Sequence, residues 1–314
     1  MVGIHVCRYP MVAKSDIQQI MLACSRVSML YVVPLFDPAS AMPQSEVLRT
    51  LTMELVGVSH IKLRETNQKY SLSLDDICDV LSEPNLLVFL SDSCFEYIHM
   101  FEKLTVSLFP SNNINCLNLP MSNWDDIPLI SRWYFAKKVL FAGVESTGKS
   151  TYANIFSKIY NSSCTFEYGR YYSRDFLGGD DRLFSEEDFT RIAIRQRELE
   201  QTCISQANRI AFFDTDLIMT QFYCLEFLGK KCHTIDALIQ SDCYDLIFIL
   251  EPDVIWVQDD VRYMKTSDIR SNGSKRLKKL FCSYGYEKKI VSLCGDFQNK
   301  FLICKGFIEE LLHD

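Results

Sequence analysis

A basic surplus is missing from this chain. Its 33 lysines and arginines face 40 aspartates and glutamates, a formal net charge of −7. No basic stripe compensates, so the composition gives no electrostatic case for binding a nucleic-acid backbone. No apolar run approaches the ~18 residues that a membrane-spanning helix needs, and the first residues lack the charged-then-apolar pattern of a secretory signal. The 13 cysteines include no C-x-x-C pair. Cys232-His233 is the sole Cys-His neighbour pair, and no second pair lies at zinc spacing. An odd, scattered set of this kind reads as reduced, mostly buried thiols of a cytoplasmic protein. Internal repeats and low-complexity segments are absent too. What is present is ordinary for a globular protein: 48% hydrophobic and 23% charged residues in 314, a length comfortable for two domains.

One stretch organises the rest. Val139 to Ala142 is a short apolar run of buried-strand length, followed by Gly143-Val144-Glu145-Ser146-Thr147-Gly148-Lys149-Ser150 and then Thr151, a full G-x-x-x-x-G-K-[ST] match. Residues 151–160 then run without Pro or Gly, as a helix would. Strand, glycine loop and helix are the context this motif requires. Backbone N–H groups of the loop and helix start point at a polyphosphate, and the glycines let the backbone approach it. Residues 143–151 are therefore the ATP-binding candidates, with Lys149 reaching the β/γ-phosphates and the Ser150 hydroxyl on Mg²⁺.

Downstream, Ser163 to Phe166 reads as a short strand ending in Glu167-Tyr168-Gly169-Arg170. A carboxylate and an arginine at a strand's C-terminal end sit where open α/β sheets bind ligands. The plainer reading, a surface ion pair across a turn, competes with it. Ser185 with acids at 186–188 opens a helix to about residue 208, whose many charges and glutamines read as a solvated face. Residues 209–213 form a buried strand ending in Asp214-Thr215-Asp216, the Walker B pattern, with Asp214 on the metal side. Asp216 also points out of the strand end, towards substrate hydroxyls. Arg262 and Arg270 lie in a stretch suited to bring arginines onto the transferring phosphate and to exclude water; a basic helix start near residue 274 is the competing reading.

The first 134 residues alternate strands (3–7, 29–33, 60–64, 86–90, 106–109) with helices (15–24, 46–56, 74–81, 96–104), which implies a parallel sheet covered on both faces. A breaker cluster at 120–128 marks the junction. The expected fold class is α/β with two doubly wound parallel-sheet domains, 1–134 and 135–314.

The segment from Gly3 to Pro34, a strand, a Tyr9-Pro10 turn, a helix and a second strand, resembles the opening of a nicotinamide-nucleotide adenylyltransferase domain. That superfamily carries H-x-G-H in the turn; here Val12 and Ser15 stand where the histidines would fall. Lys14 and His5 are the side chains left nearby, and His5, in mid-strand, reads as structural. The resemblance implies the Rossmann-like nucleotidyltransferase fold, and the departures imply a degenerate site. From about residue 137 the chain resembles the ribosylnicotinamide kinase domain of the bifunctional NadR-type proteins. The matching residues are 143–151, Glu-Tyr-Gly-Arg at 167–170, Leu-Gly-Gly-Asp at 177–180, Phe-Asp-Thr-Asp at 213–216 and Trp-Val-Gln-Asp-Asp-Val-Arg at 256–262. Enteric members also carry an N-terminal helix-turn-helix. This chain starts at the nucleotidyltransferase-like strand, so no repressor role is expected.

The resemblance implies ATP- and Mg²⁺-dependent phosphorylation of the ribose 5′-hydroxyl of nicotinamide riboside. Lys149, Glu167, Asp216, Arg262 and Arg270 are then the catalytic candidates; Glu167, Tyr168, Arg170 and Asp216 touch substrate; Ser150 and Asp214 hold the metal. Glu167 or Asp216 is the base, with Glu167 favoured because it ends the strand beside the P-loop strand. Three alternatives stay open: a second, adenylyltransferase activity yielding NAD; a P-loop kinase of another nucleoside; and a regulator sensing ATP and a pyridine nucleotide. A small-molecule nucleoside is the expected partner, with no nucleic acid and no membrane, and a homo-oligomer is left open.

Overall fold

The computed structural model describes residues 1–36, 40, 42–66, 70–109, 119–239, 243–253 and 267–313. The chain divides into two compact units, Met1–Arg132 and Trp133–His313. In the first, strands β1 (Val2–Tyr9), β2 (Met29–Phe36), β3 (Ile61–Leu63), β4 (Leu87–Ser91) and β5 (Thr105–Phe109) alternate with helices α1 (Lys14–Cys24), α2 (Gln44–Glu54) and α3 (Leu74–Leu81). A 3₁₀ segment, Asp92–Phe101, stands where a helix over 96–104 is expected. The strands pair in parallel in the order β3-β2-β1-β4-β5. Strands covered on both faces read as near-continuous apolar runs, and Leu30, Val32, Val33, Val88, Phe89 and Leu90 are indeed fully buried.

Helix α4 (Leu129–Phe135) leads to β6 (Lys137–Ala142). Then come α5 (Lys149–Ile159), α6 (Tyr168–Leu177), α7 (Glu186–Ser205), β7 (Ile210–Phe213), α8 (Leu217–Leu228), α9 (His233–Leu238), β8 (Leu246–Leu250), α10 (Ser267–Ser283), β9 (Ile290–Leu293) and α11 (Phe297–Leu311). The second sheet is also parallel, in the order β7-β6-β8-β9. Phe141 on β6 centres its core, stacked among Phe156, Phe212 and Phe248. The strand order reverses at β6, so the crevice beyond the carboxyl ends of β6 and β8 is the topological place for a ligand.

Three local expectations change. The first helix, expected from residue 15, starts at Lys14; the Asp16 carboxylate accepts from the Ala13 N–H at 2.8 Å, and the Ser15 hydroxyl reaches Asp126 Oδ2. The strand over 163–166 reduces to one bridge, Cys164 with Phe212. Helix α7 is not simply a solvated face: Phe189, Ile192, Ala193, Gln196, Glu200 and Cys203 form a buried stripe at helical spacing.

Candidate active site

The P-loop is built from β6, residues 143–148 and the start of α5. Gly143 has φ +154°, and a Cβ there would lie 2.7 Å from Thr147 Oγ1 and 2.8 Å from the Leu250 carbonyl oxygen. Gly148, at φ +92°, stands at the N-cap of α5. Even Ser146 is left-handed, at φ +62°, the kind of local strain that persists where a site requires it. Thr147 Oγ1 donates to the Val144 carbonyl at 2.9 Å and Lys149 Nζ to the same oxygen at 3.2 Å. The lysine is buried at 6% exposure, held along the loop whose backbone would cradle phosphates.

Asp214, directly after β7, is 4% exposed. Burial pushes its carboxyl above the ordinary value, Glu167 adds to that push, and Lys149 and a hydrogen bond with Ser150 oppose it. Its Oδ1 is buried with no hydrogen-bond partner among the described residues. Ser150, Asn154, Glu167, Arg170, Arg174 and Asp214 line one polar cleft. An orphaned carboxylate oxygen beside a P-loop hydroxyl fits Mg²⁺, which takes one or two protein oxygens plus substrate phosphates. No group of three or more His, Cys, Asp and Glu side chains placed to hold a metal occurs among the described residues.

A second cavity adjoins the first and shares Glu167 and Arg170 with it. Phe184, Phe189, Tyr223 and Phe227 supply its aromatic wall, and Ser173, Asp181, Gln196, Thr215 and Thr220 its polar side. Glu167 is the N-cap residue of α6, and Arg170 one turn later is 3.6 Å from it. Gln196, fully buried on α7, accepts from the Tyr168 N–H at 3.2 Å and donates to the Thr215 carbonyl at 3.5 Å. It ties the starts of α6 and α8 together. Tyr168 enters the site through this backbone link and is not among the residues lining either cavity.

The structure thus gathers residues 143–151, Glu167, Arg170 and Asp214, and separates Asp216 from them. The Asp216 carboxylate caps α8, accepting from the Met219 N–H at 2.8 Å. It is 1% exposed and lines a different cavity, with Arg197, Glu200, Tyr244 and Tyr286. Burial raises it to about 7. A strand-end carboxylate that turns back to start a helix acts as a cap, and Asp216 lines neither the P-loop cleft nor the aromatic-walled cavity. Arg270 is buried on α10 at 4% exposure and lines neither cavity. Arg262 lies outside the described residues. The aromatic wall, Asp181 and Gln196 were not singled out from sequence; the 3.6-residue stripe on α7 is the signal that carries Phe189, Ile192 and Gln196.

In the first unit, the turn after β1 is filled by its own side chains: Tyr9, Met11, Val12 and Ala13 are buried. Lys14 Nζ donates to the Asp125 carbonyl oxygen at 2.6 Å. His5 is 1% exposed, and burial lowers it to about 4, so it is neutral at pH 7.

Strand, glycine loop, helix and terminal aspartate define the second unit as a P-loop nucleotide-binding domain. A family model described as an AAA domain matches residues 138–300, more than half of the chain. The trifunctional NAD biosynthesis/regulator protein NadR of Salmonella typhimurium strain LT2, and that of Escherichia coli K12, are each 31% identical over 193 residues. The match covers 62% of this chain and 47% of theirs. Crystal structures of a NadR protein, one in complex with NR and one with NAD and AMP-PNP, share the fold at a TM-score of 0.78 and 20% identity, over 98% of this chain and 95% of that one. The chain belongs to the AAA-domain P-loop family. It spans about half the length of the curated relatives it matches.

Proposed function

We propose that this protein transfers the γ-phosphoryl group of ATP to the ribose 5′-hydroxyl of nicotinamide riboside, giving nicotinamide mononucleotide. The observation that carries this reading is the shared wall of the two cavities: Glu167 and Arg170 line both the polar cleft at the P-loop and the aromatic-walled cavity beside it. A nucleoside in the second cavity presents its hydroxyl to the first. NadR relatives, one of them crystallised with NR, support the choice of nucleoside.

In this reading the loop amides at 143–148 and Lys149 bind the triphosphate of ATP. Ser150 and Asp214 would hold a magnesium ion, which when bound supplies charge neutralisation on the phosphates. Glu167 accepts the hydroxyl proton and orients the nucleophile, while Arg170 holds Glu167 and faces the transferring group. Most of the acceleration in such a site comes from positioning and fixed charge rather than covalent chemistry. We read the first unit as silent in adenylyl transfer, because its turn offers no histidine to a triphosphate and Lys14 is committed to a carbonyl.

The test is ATP consumption by purified protein with and without nucleoside. ADP release that depends on nicotinamide riboside supports a kinase. Release independent of any nucleoside, or tight ATP binding without turnover on any nucleoside, would replace the kinase by an ATPase or a sensor.

A further inference from the structure

The aromatic-walled cavity has an electrostatic character that the phosphoryl-transfer reading does not use. Its rings form one cluster: Phe184 lies 5.0 Å from Phe189 and 5.6 Å from Phe227, and Tyr223 lies 6.1 Å from Phe227, centroid to centroid. Ring faces carry negative potential and attract organic cations most strongly in water-poor sites. The charged groups add to this: three carboxylates, Glu145, Glu167 and Asp181, line the cavity against one guanidinium, Arg170. That guanidinium is 3.6 Å from Glu167, so its charge is already engaged.

Asp181, on the polar side, lines the same cavity as the rings. It opens the 3₁₀ turn Asp181–Leu183, just before Phe184. The Ser173 hydroxyl, from α6, donates to its Oδ1 at 2.5 Å and fixes its direction. The neighbouring Arg182 turns away to Asp180, at 2.6 Å, and among the described residues no basic side chain forms an ion pair with Asp181. Burial, with the Asp180 and Glu167 carboxylates nearby, raises its pKa; a cation arriving in the cavity would relieve that.

We propose that this cavity selects a nucleoside whose base is a positively charged aromatic ring, with Asp181 the specificity-determining residue and the ring cluster the surface on which the cation lies. A pyridinium N-glycoside meets both requirements; a neutral base meets only the stacking one. The proposal rests on the kinase reading and adds to it the charge of the base as the selected property.

Two substrates separate charge from shape: nicotinamide riboside, and the corresponding benzamide C-riboside, which keeps the planar aromatic ring, ribose and carboxamide but loses the positive charge. The expected result is that the unmodified protein prefers the charged form in kcat/KM, and that Asp181→Asn lowers this preference ratio about tenfold, the size of one lost charge contact. Asp181→Glu should restore most of it. An unchanged ratio in Asp181→Asn, or an equal loss on both nucleosides, overturns the proposal, the second result meaning that Asp181 holds the ribose. If the Asn variant does not fold, calorimetry on the unmodified protein decides. There, 1-methylnicotinamide, a cation, should bind more tightly than neutral nicotinamide; equal affinity overturns the proposal. Turnover on neither nucleoside, together with tighter binding of the cationic ring, would sink the kinase reading and leave the charge selection standing.

Discussion

Two carboxylates near the P-loop start helices, Glu167 at α6 and Asp216 at α8, and replacing each by its amide decides which one is the base. Glu167→Gln keeps the side-chain volume, so the cavity it lines with Arg170 keeps its shape while the proton acceptor is gone. General-base assistance is worth about 10²–10⁴-fold, or about 3–5 kcal/mol of barrier, and kcat for nicotinamide riboside should fall within that range. KM should move little. The ion pair that is lost joins Glu167 to an Arg170 that is half-exposed, 51% by side chain, and such pairs are worth about 0–1 kcal/mol. Asp216→Asn should behave differently, because an asparagine oxygen still accepts from the Met219 N–H and asparagine is as good a helix cap as aspartate. Its kcat should stay near the parent value. Asp216→Ala, which removes the cap, should instead cost about 0.5–2 kcal/mol of stability, read as a lowered Tm. Stopped-flow or coupled ADP release gives kcat and KM, and thermal melts give the stability arm. The assignment is refuted if Asp216→Asn loses a hundredfold or more in kcat at unchanged Tm while Glu167→Gln remains active.

Three further outcomes are expected. Gly143→Ala forces a Cβ to within 2.8 Å of the Leu250 backbone oxygen, so the loop must shift, at about 1–3 kcal/mol, and binding of a fluorescent ATP analogue should weaken more than tenfold. Gly178→Ala, at φ +61° with nothing within 4 Å, should cost only about 1 kcal/mol and leave ATP binding intact. Glu200 is buried, and burial together with the neighbouring Asp216 raises its carboxyl from 4.5 to about 8. The folded state therefore holds a proton that the unfolded chain has lost, and stability falls as pH rises through that interval. The Tm of Glu200→Gln should fall less between about pH 5 and pH 8 than that of the parent; equal slopes would show that Glu200 keeps an ordinary pKa.

The parts of the site that a sequence states most clearly are those held in one contiguous loop. The G-x-x-x-x-G-K-S run, the strand before it and Asp214 after a four-residue apolar strand all fall in the elements expected of them, because each is local: a loop, its flanking helix, a strand end. Glu167 was legible for the same reason. The aromatic-walled cavity was not, since its wall is assembled from α7, α8 and the turn before α7, and no local pattern says that those faces converge. The charges of α7 pulled attention to its solvated side, yet Phe189, Ile192, Ala193, Gln196, Glu200 and Cys203 recur at three- and four-residue steps, which is the stripe of a packed helix. Asp216 is a different case: an aspartate ending a strand and an aspartate starting a helix look identical in sequence, and the Met219 N–H bond shows this one capping α8. In the first unit the strand–helix alternation predicted the parallel sheet, while the weak spacing around 96–104 did not reveal a 3₁₀ segment starting at Asp92.

The most direct measurement is product analysis. Purified protein is incubated with ATP, Mg²⁺ and nicotinamide riboside, the products are resolved by chromatography, and Lys149→Ala runs alongside. The expected result is nicotinamide mononucleotide accumulating with the parent protein, none with Lys149→Ala, and no NAD with either. NAD would contradict the silence assigned to the first unit, and no phosphorylated product from nicotinamide riboside, with turnover on another nucleoside, would contradict the substrate assignment.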